Sequence, residues 1–318
     1  MNFLILLAGF VALILGADKL VDAASSLASK IGIPNIVIGL TIVAFGTSAP
    51  ELVVNLFAAS SGSTEMVLGN VLGSNIFNIL AILGISAIIY PLTVKTNTTW
   101  LEIPLSLLAA VSVLILANDA YLDGSVLNLI SRSEGLVLLL FFLIFLVYNL
   151  KISQSSSGEE EETETKDYTY LQSGLFIALG LAGLIIGGRL IVTSAVSIAQ
   201  TIGLSERIIG LTVVSIGTSL PELATSVVAV RKKNVDIAIG NVVGSNIFNT
   251  FLILGLSTLV TPVQVNAGSF TDIVINIAAS LLLFLFIFTG KGRKLSRWEG
   301  AVLLTLYLAY LTLLIYQE

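Results

Sequence analysis

GTSAPEL at residues 46–52 and GTSLPEL at residues 217–223 agree at six of seven positions, and their reading decides the fold. Each copy lies in an apolar stretch, yet each carries a proline beside a glutamate. Pro50 and Pro221 lack the helical N–H and clash with the carbonyl four residues back, so a helix through either must kink or break. Glu51 and Glu222 would each cost roughly 2.5–3.5 kcal/mol near the centre of a bilayer on insertion scales.

Working outward, GNVLGSNIFN at 69–78 recurs as GNVVGSNIFN at 240–249. Gly39 and Gly210, Glu51 and Glu222, Asn78 and Asn249, and Pro91 and Pro262 are all separated by 171 residues. Between 32–91 and 203–262, 27 of 60 positions are identical without a gap. A fixed-offset repeat of that strength implies two copies of one structural unit.

The rest of the chain places that unit in a membrane. Hydrophobic residues make up 56% and charged residues 11%, with a mean hydropathy of +1.00. Such a composition specifies an all-α polytopic membrane protein. Apolar runs recur about ten times, with expected centres near residues 12, 48, 78, 108, 142, 183, 218, 248, 280 and 308. The apolar N-terminus lacks a basic flank and an A-x-A-like cleavage site, and reads as a retained first span. Five spans per copy is an odd number. The second copy therefore enters from the opposite face, and such inverted repeats place their site near the midplane, where broken helices meet. The expected organisation is a first five-helix repeat over 1–150, an acidic linker over 151–171 and a second five-helix repeat over 172–318. The linker holds KISQSSSGEEEETETKDY (151–168), whose composition cannot bury a core.

Lys30, Lys95, Lys151, Lys166, Arg231, Lys232, Lys233, Lys291, Arg293, Lys294 and Arg297 would share one side of the membrane, and only Arg132 and Arg207 the other. The positive-inside rule then makes the first side cytoplasmic, the linker included, with both termini outside a cell membrane. The chain has no His and no Cys, which excludes disulfides, thiolate chemistry and His-based acid–base catalysis. Neither an enzyme nor a cofactor-binding protein is expected, and nothing calls for a nucleic-acid or obligatory protein partner.

The residues around the glutamates offer oxygen. Thr47 and Ser48 precede Glu51 by four and three positions, as Thr218 and Ser219 precede Glu222, so helical spacing groups each trio on one face. Ser74 and Asn78 are four apart, as are Ser245 and Asn249. Two carboxylates facing each other repel, and no Lys or Arg lies close in sequence, Arg189 being the nearest candidate inside the membrane. Hard Ca²⁺ takes roughly six to eight oxygens, which this inventory supplies. Na⁺ ions distributed over the same oxygens, or protons, would also neutralise the pair. Asp18, Lys19 and Asp22 read as interfacial or locally paired, and Glu65 and Asp236 as helix-start acids placed by the helix dipole.

At GTS-x-PE and GN-x-x-GSN, present as Gly46–Glu51, Gly217–Glu222, Gly69–Asn75 and Gly240–Asn246, the sequence resembles the prokaryotic sodium/calcium exchanger family of the cation/Ca²⁺ exchanger superfamily. The resemblance spans the whole chain. It implies that Glu51 and Glu222 bind Ca²⁺ with the carbonyls of Thr47 and Thr218. Ser48, Ser74, Ser219 and Ser245 would contribute to flanking Na⁺ sites, and spans one and six would slide as a gating pair. The implied activity is Ca²⁺/Na⁺ antiport, with an H⁺- or K⁺-linked exchanger on the same fold and a passive channel as alternatives. Two positions depart from the pattern. Members with aspartate at the Asn249 position carry a third carboxylate, whereas Asn78 and Asn249 are both amides here. Ser215 matches Ala44 of the first copy and adds a hydroxyl.

Overall fold

The structure is a computed structural model that describes residues 2–155, 166–201, 215–289 and 292–316. The acidic run Glu159–Glu162 with Glu164, Arg207, Gly210, Lys291 and the side chain of Ser215 lie outside the described residues.

Helices dominate. Besides a single turn at Asp119–Leu122 they are α1 (Asn2–Ile31), α2 (Asn35–Thr47), α3 (Ala49–Ser60), α4 (Thr64–Ile89), α5 (Thr98–Leu116), α6 (Arg132–Ser155), α7 (Tyr170–Thr201), α8 (Ser215–Thr218), α9 (Leu220–Arg231), α10 (Val235–Val260), α11 (Ala267–Thr289) and α12 (Arg297–Tyr316). Among the described residues seven helices are long and apolar enough to cross a bilayer: α1, α4, α5, α6, α7, α10 and α11. The bent pair α2–α3 makes an eighth if counted as one span.

Burial sorts these helices. α10 is almost wholly buried and α4 largely so, which makes them the centre of the bundle. α6 is mostly exposed and presents Leu140, Leu143, Ile144 and Val147 outward. That apolar surface suits contact with lipid rather than water.

Glycines set the closest approaches. A Cβ on Gly16 would come within 2.8 Å of the Gly180 carbonyl oxygen, and one on Gly9 within 2.9 Å of the Gly187 oxygen. α1 and α7 thus touch backbone to backbone, which only small residues permit. Gly9 and Gly180 are repeat counterparts, as are Gly16 and Gly187, so the two contacts are one contact with its halves exchanged. The same exchange relates Gly84 against Gly300 to Gly255 against Gly135.

Four two-residue strands tie helix ends together. β1 (Leu92–Thr93) pairs antiparallel with β4 (Lys294–Leu295), joining the end of α4 to the start of α12. β2 (Leu129–Ile130) pairs with β3 (Val263–Gln264), joining the start of α6 to the end of α10. The SRSEG at 131–135 and SRWEG at 296–300 that follow β2 and β4 are a further recurrence. In each, a glutamate turns back on the helix start. Glu134 Oε2 accepts from the Ser131 N–H at 2.6 Å, and Glu299 Oε2 from the Ser296 N–H at 2.5 Å. This satisfies an amide that the first turn leaves without an intrahelical partner. Glu134→Ala is expected to cost about 1 kcal/mol, as loss of a cap does, read as a lower melting temperature in detergent.

Candidate cation site

Two breaks build the site. α2 stops at Thr47 and α3 starts at Ala49 with a bend of 47°, because Pro50 has no N–H for the Gly46 carbonyl. Ser48 occupies the corner at φ −82°, ψ 4°. The bonds that bridge the corner are Ser48 N–H to Ala44 O at 3.0 Å and Leu52 N–H to Ser48 O at 3.1 Å. The second copy repeats this at Ser219 (φ −91°, ψ 9°), between α8 and α9. Glu51 and Glu222 therefore sit in the first turn of α3 and α9, where the dipole favours an anion. The carbonyl end of the preceding segment, which favours a cation, adjoins each of them.

The helix-face reading groups each serine with its own glutamate, and the corner changes the partner. Ser48 Oγ donates to Glu222 Oε1 at 3.0 Å, and Ser219 Oγ lies 3.1 Å from Glu51 Oε1. Ser219 Oγ is also 3.0 Å from Ser74 Oγ, and Ser245 Oγ is 3.4 Å from Glu222 Oε1. Thr47, Ser48, Glu51, Ser74, Ser219, Glu222 and Ser245 are all buried. Thr218 is half-buried and points its hydroxyl at Asn70 Oδ1 at 3.5 Å.

Asn78 and Asn249 lie in matching π-helical segments, Phe77–Leu83 and Phe248–Leu254. The wider turn shifts the helical phase, as π-bulges at functional sites do. Their amides cross to the opposite copy: Asn78 Nδ2 donates to Asn246 Oδ1 at 2.9 Å and Asn249 Nδ2 to Asn75 Oδ1 at 3.1 Å. Asn75 and Asn246 were absent from the site expected from the sequence, although both are the final residue of GN-x-x-GSN. Asn75 Nδ2 also donates to Thr250 Oγ1 at 3.0 Å.

One oxygen of each key group has no hydrogen-bond partner among the described residues: Glu51 Oε2, Glu222 Oε2, Asn78 Oδ1 and Asn249 Oδ1 are all buried without one. A buried acceptor left unpaired is costly and rare in folded proteins. Glu51 and Glu222, each bonded by the serine of the opposite copy, thus keep one buried oxygen apiece without a hydrogen-bond partner among the described residues. Among the described residues no cluster of three or more Asp, Glu, His or Cys side chains could hold a metal. The candidate site holds two carboxylates beside serine hydroxyls.

The other singled-out charges sit elsewhere. Lys232 Nζ reaches Asp18 Oδ1 at 2.5 Å and Asp22 Oδ1 at 2.7 Å, and Lys166 Nζ reaches Asp22 Oδ2 at 2.7 Å. The Asp22 carboxylate holds the Lys166 ammonium above its usual range. Asp236 pairs with Lys95 at 2.7 Å, and Glu65 accepts from the Asn266 amide, so both acids have partners besides a helix dipole. Arg189 is exposed.

A family model described as "Sodium/calcium exchanger protein" matches residues 1–151 and 173–316. The chain is 39% identical over 317 residues to the "Putative antiporter CaxA" of Alkalimonas amylolytica, covering 97% of each. It is 36% identical over 347 residues to the "Sodium/calcium exchanger MaX1" of Methanosarcina acetivorans, covering 99% of each. Its fold resembles that of the sodium-calcium exchanger NCX_Mj soaked with Na⁺ and no Ca²⁺, with a TM-score of 0.83, 32% identity and 98% of each chain covered. These relatives are transporters, and the homologous sequences include an inner membrane protein of Escherichia coli, 35% identical over 319 residues. The chain is a multi-pass membrane protein, and it belongs to the sodium/calcium exchanger family.

Proposed function

We propose that the chain is a secondary active antiporter that exchanges Ca²⁺ for Na⁺ by alternating access. The carrying observation is the crossing of the two halves, in which Ser48 bonds Glu222 and Ser219 bonds Glu51 while each glutamate keeps one buried oxygen unpartnered among the described residues. In this reading Ca²⁺ sits between Glu51 and Glu222, with the carbonyls of Thr47 and Thr218 beside the corners. Ser48, Ser219, Ser74 and Ser245 surround positions for Na⁺, and Asn78 and Asn249 complete the wall. Ten spans form two oppositely oriented five-helix halves, with α1 and α7 as the moving pair. Both termini face outside, and 151–171 faces the cytoplasm.

Electrostatics supplies the coupling. Two carboxylates without a cation repel in a low-dielectric interior, so the empty carrier is disfavoured from passing through a closed intermediate. One Ca²⁺ or a set of Na⁺ ions removes that repulsion, and only loaded forms cross readily. Exchange rather than one-way leak follows.

Proteoliposomes loaded with Na⁺ and diluted into Na⁺-free medium with Ca²⁺ are expected to accumulate Ca²⁺. Replacing internal Na⁺ by K⁺, or by a pH gradient alone, is expected to remove the uptake. Uptake driven by K⁺ or H⁺ alone would reassign the coupling ion, and flux far above carrier turnover would favour a channel.

A further inference from the structure

Asn241 lies on α10, four residues before Ser245, with no solvent exposure, and every polar group of its side chain is used. Its Oδ1 accepts from Thr47 Oγ1 at 3.0 Å. Its Nδ2 donates to the Glu222 backbone carbonyl at 3.1 Å and to Ser226 Oγ at 2.9 Å. One amide thus joins the last residue of α2 to the first turn of α9, which carries the opposite glutamate. Close packing makes this possible, since a Cβ on the adjacent Gly240 would meet the Ile36 oxygen at 2.8 Å.

The first copy is wired differently. Among the described residues Asn70, the counterpart of Asn241, receives a long contact from Thr218 at 3.5 Å, and its Nδ2 has no hydrogen-bond partner. Asn55 stands where the second copy has Ser226, and its Nδ2 donates to the Glu51 carbonyl at 2.9 Å. Asn55 thus holds the Glu51 carbonyl from within α3 itself, whereas Asn241 holds the Glu222 carbonyl from a neighbouring helix and also reaches Thr47. The difference is written in the sequence: Asn55 brings a donor, whereas Ser226 serves as the acceptor for Asn241.

We propose that Asn241 is a positioning residue that holds Glu222 and Thr47 in register for the cation, whereas on the Glu51 side Asn55 secures only the glutamate's own carbonyl. The inference rests on the Ca²⁺ reading of the glutamate site. Groups that orient ligands without touching the ion typically change metal affinity by about 10- to 100-fold.

The test is the Ca²⁺ concentration for half-maximal uptake in Na⁺-loaded proteoliposomes, with Ca²⁺ as the probe. Asn241→Ala is expected to raise it about tenfold, and Asn70→Ala to raise it less. The decisive variant is Asn241→Ala with Ser226→Asn, which supplies a donor to the Glu222 carbonyl as Asn55 does for Glu51. It is expected to bring the half-maximal concentration back toward wild type. A purely structural role for Asn241 would not be repaired by that second change. Should Asn241→Ala fail to insert, the double variant is compared with Asn241→Gln, expected to raise the value because its amide is displaced by one methylene. Wild-type affinity in Asn241→Ala, or no recovery in the double variant, overturns the inference. Glu222→Gln in parallel separates the two ideas, because unimpaired exchange there would sink the site reading itself.

Discussion

Glu51→Gln and Glu222→Gln should each abolish Na⁺-driven Ca²⁺ uptake into proteoliposomes. Glutamine keeps the shape and one acceptor oxygen, so the hydroxyls of Ser219 and Ser48 still have a partner. The charge is what disappears. A site of −2 balances Ca²⁺, whereas a site of −1 leaves a buried cation undercompensated. Removing one partner of a buried charge pair costs roughly 3–5 kcal/mol, or about 100-fold or more in affinity. Because each glutamate is held by the serine of the opposite copy, the two variants should fail to the same degree. Retained melting temperatures would show that the loss lies in the site. Uptake at wild-type rates in either variant would remove that residue from the mechanism.

The second large effect concerns the contact between α1 and α7. A Cβ at Gly187 would lie 2.6 Å from the Leu13 nitrogen and 2.7 Å from the Gly9 oxygen. Both are backbone atoms, so neither can rotate aside, and the helices must separate. Overpacking of this kind costs roughly 1–3 kcal/mol even where side chains can yield. Gly187→Leu is expected to lower the melting temperature in detergent by several degrees and to slow exchange strongly. Gly16→Leu is expected to behave alike, since its Cβ would lie 2.8 Å from the Gly180 oxygen. Gly174→Leu is the control, because that glycine lies on the same helix with nothing within 4 Å of its Cβ position. A melting temperature for Gly187→Leu equal to the control would mean that the helices are not held this closely.

Much of the candidate site was legible because the chain states it twice. Pro50 beside Glu51 is ambiguous alone, since a kinked helix with a stray acid has ordinary explanations. The same pair at Pro221 and Glu222 makes a chance acid a poorer account, and in the structure each glutamate takes a bond from the serine of the opposite copy. What helical spacing could not supply was the crossing of partners. The i, i+3 and i+4 rule holds only along an unbroken helix, and the corner at Ser48 redirects its hydroxyl to Glu222. The π segments likewise moved Asn78 and Asn249 out of the phase that a regular helix would give them. Asn75, Asn246 and Asn241 were visible only as motif letters, because an amide acquires a role from the groups facing it.

The sequence by itself determined the membrane class, the doubling of the sequence motif and which two carboxylates are the candidates for the site. Those properties depend on composition, on periodicity and on the cost of a proline and a charge in an apolar span, all local quantities. The tertiary structure alone decided which hydroxyl serves which glutamate, which oxygens are left without a partner, and how the two copies differ at Asn55 and Ser226. These are distances of about 3 Å between residues far apart in the chain, set by glycine-to-glycine helix approaches that no hydropathy pattern records.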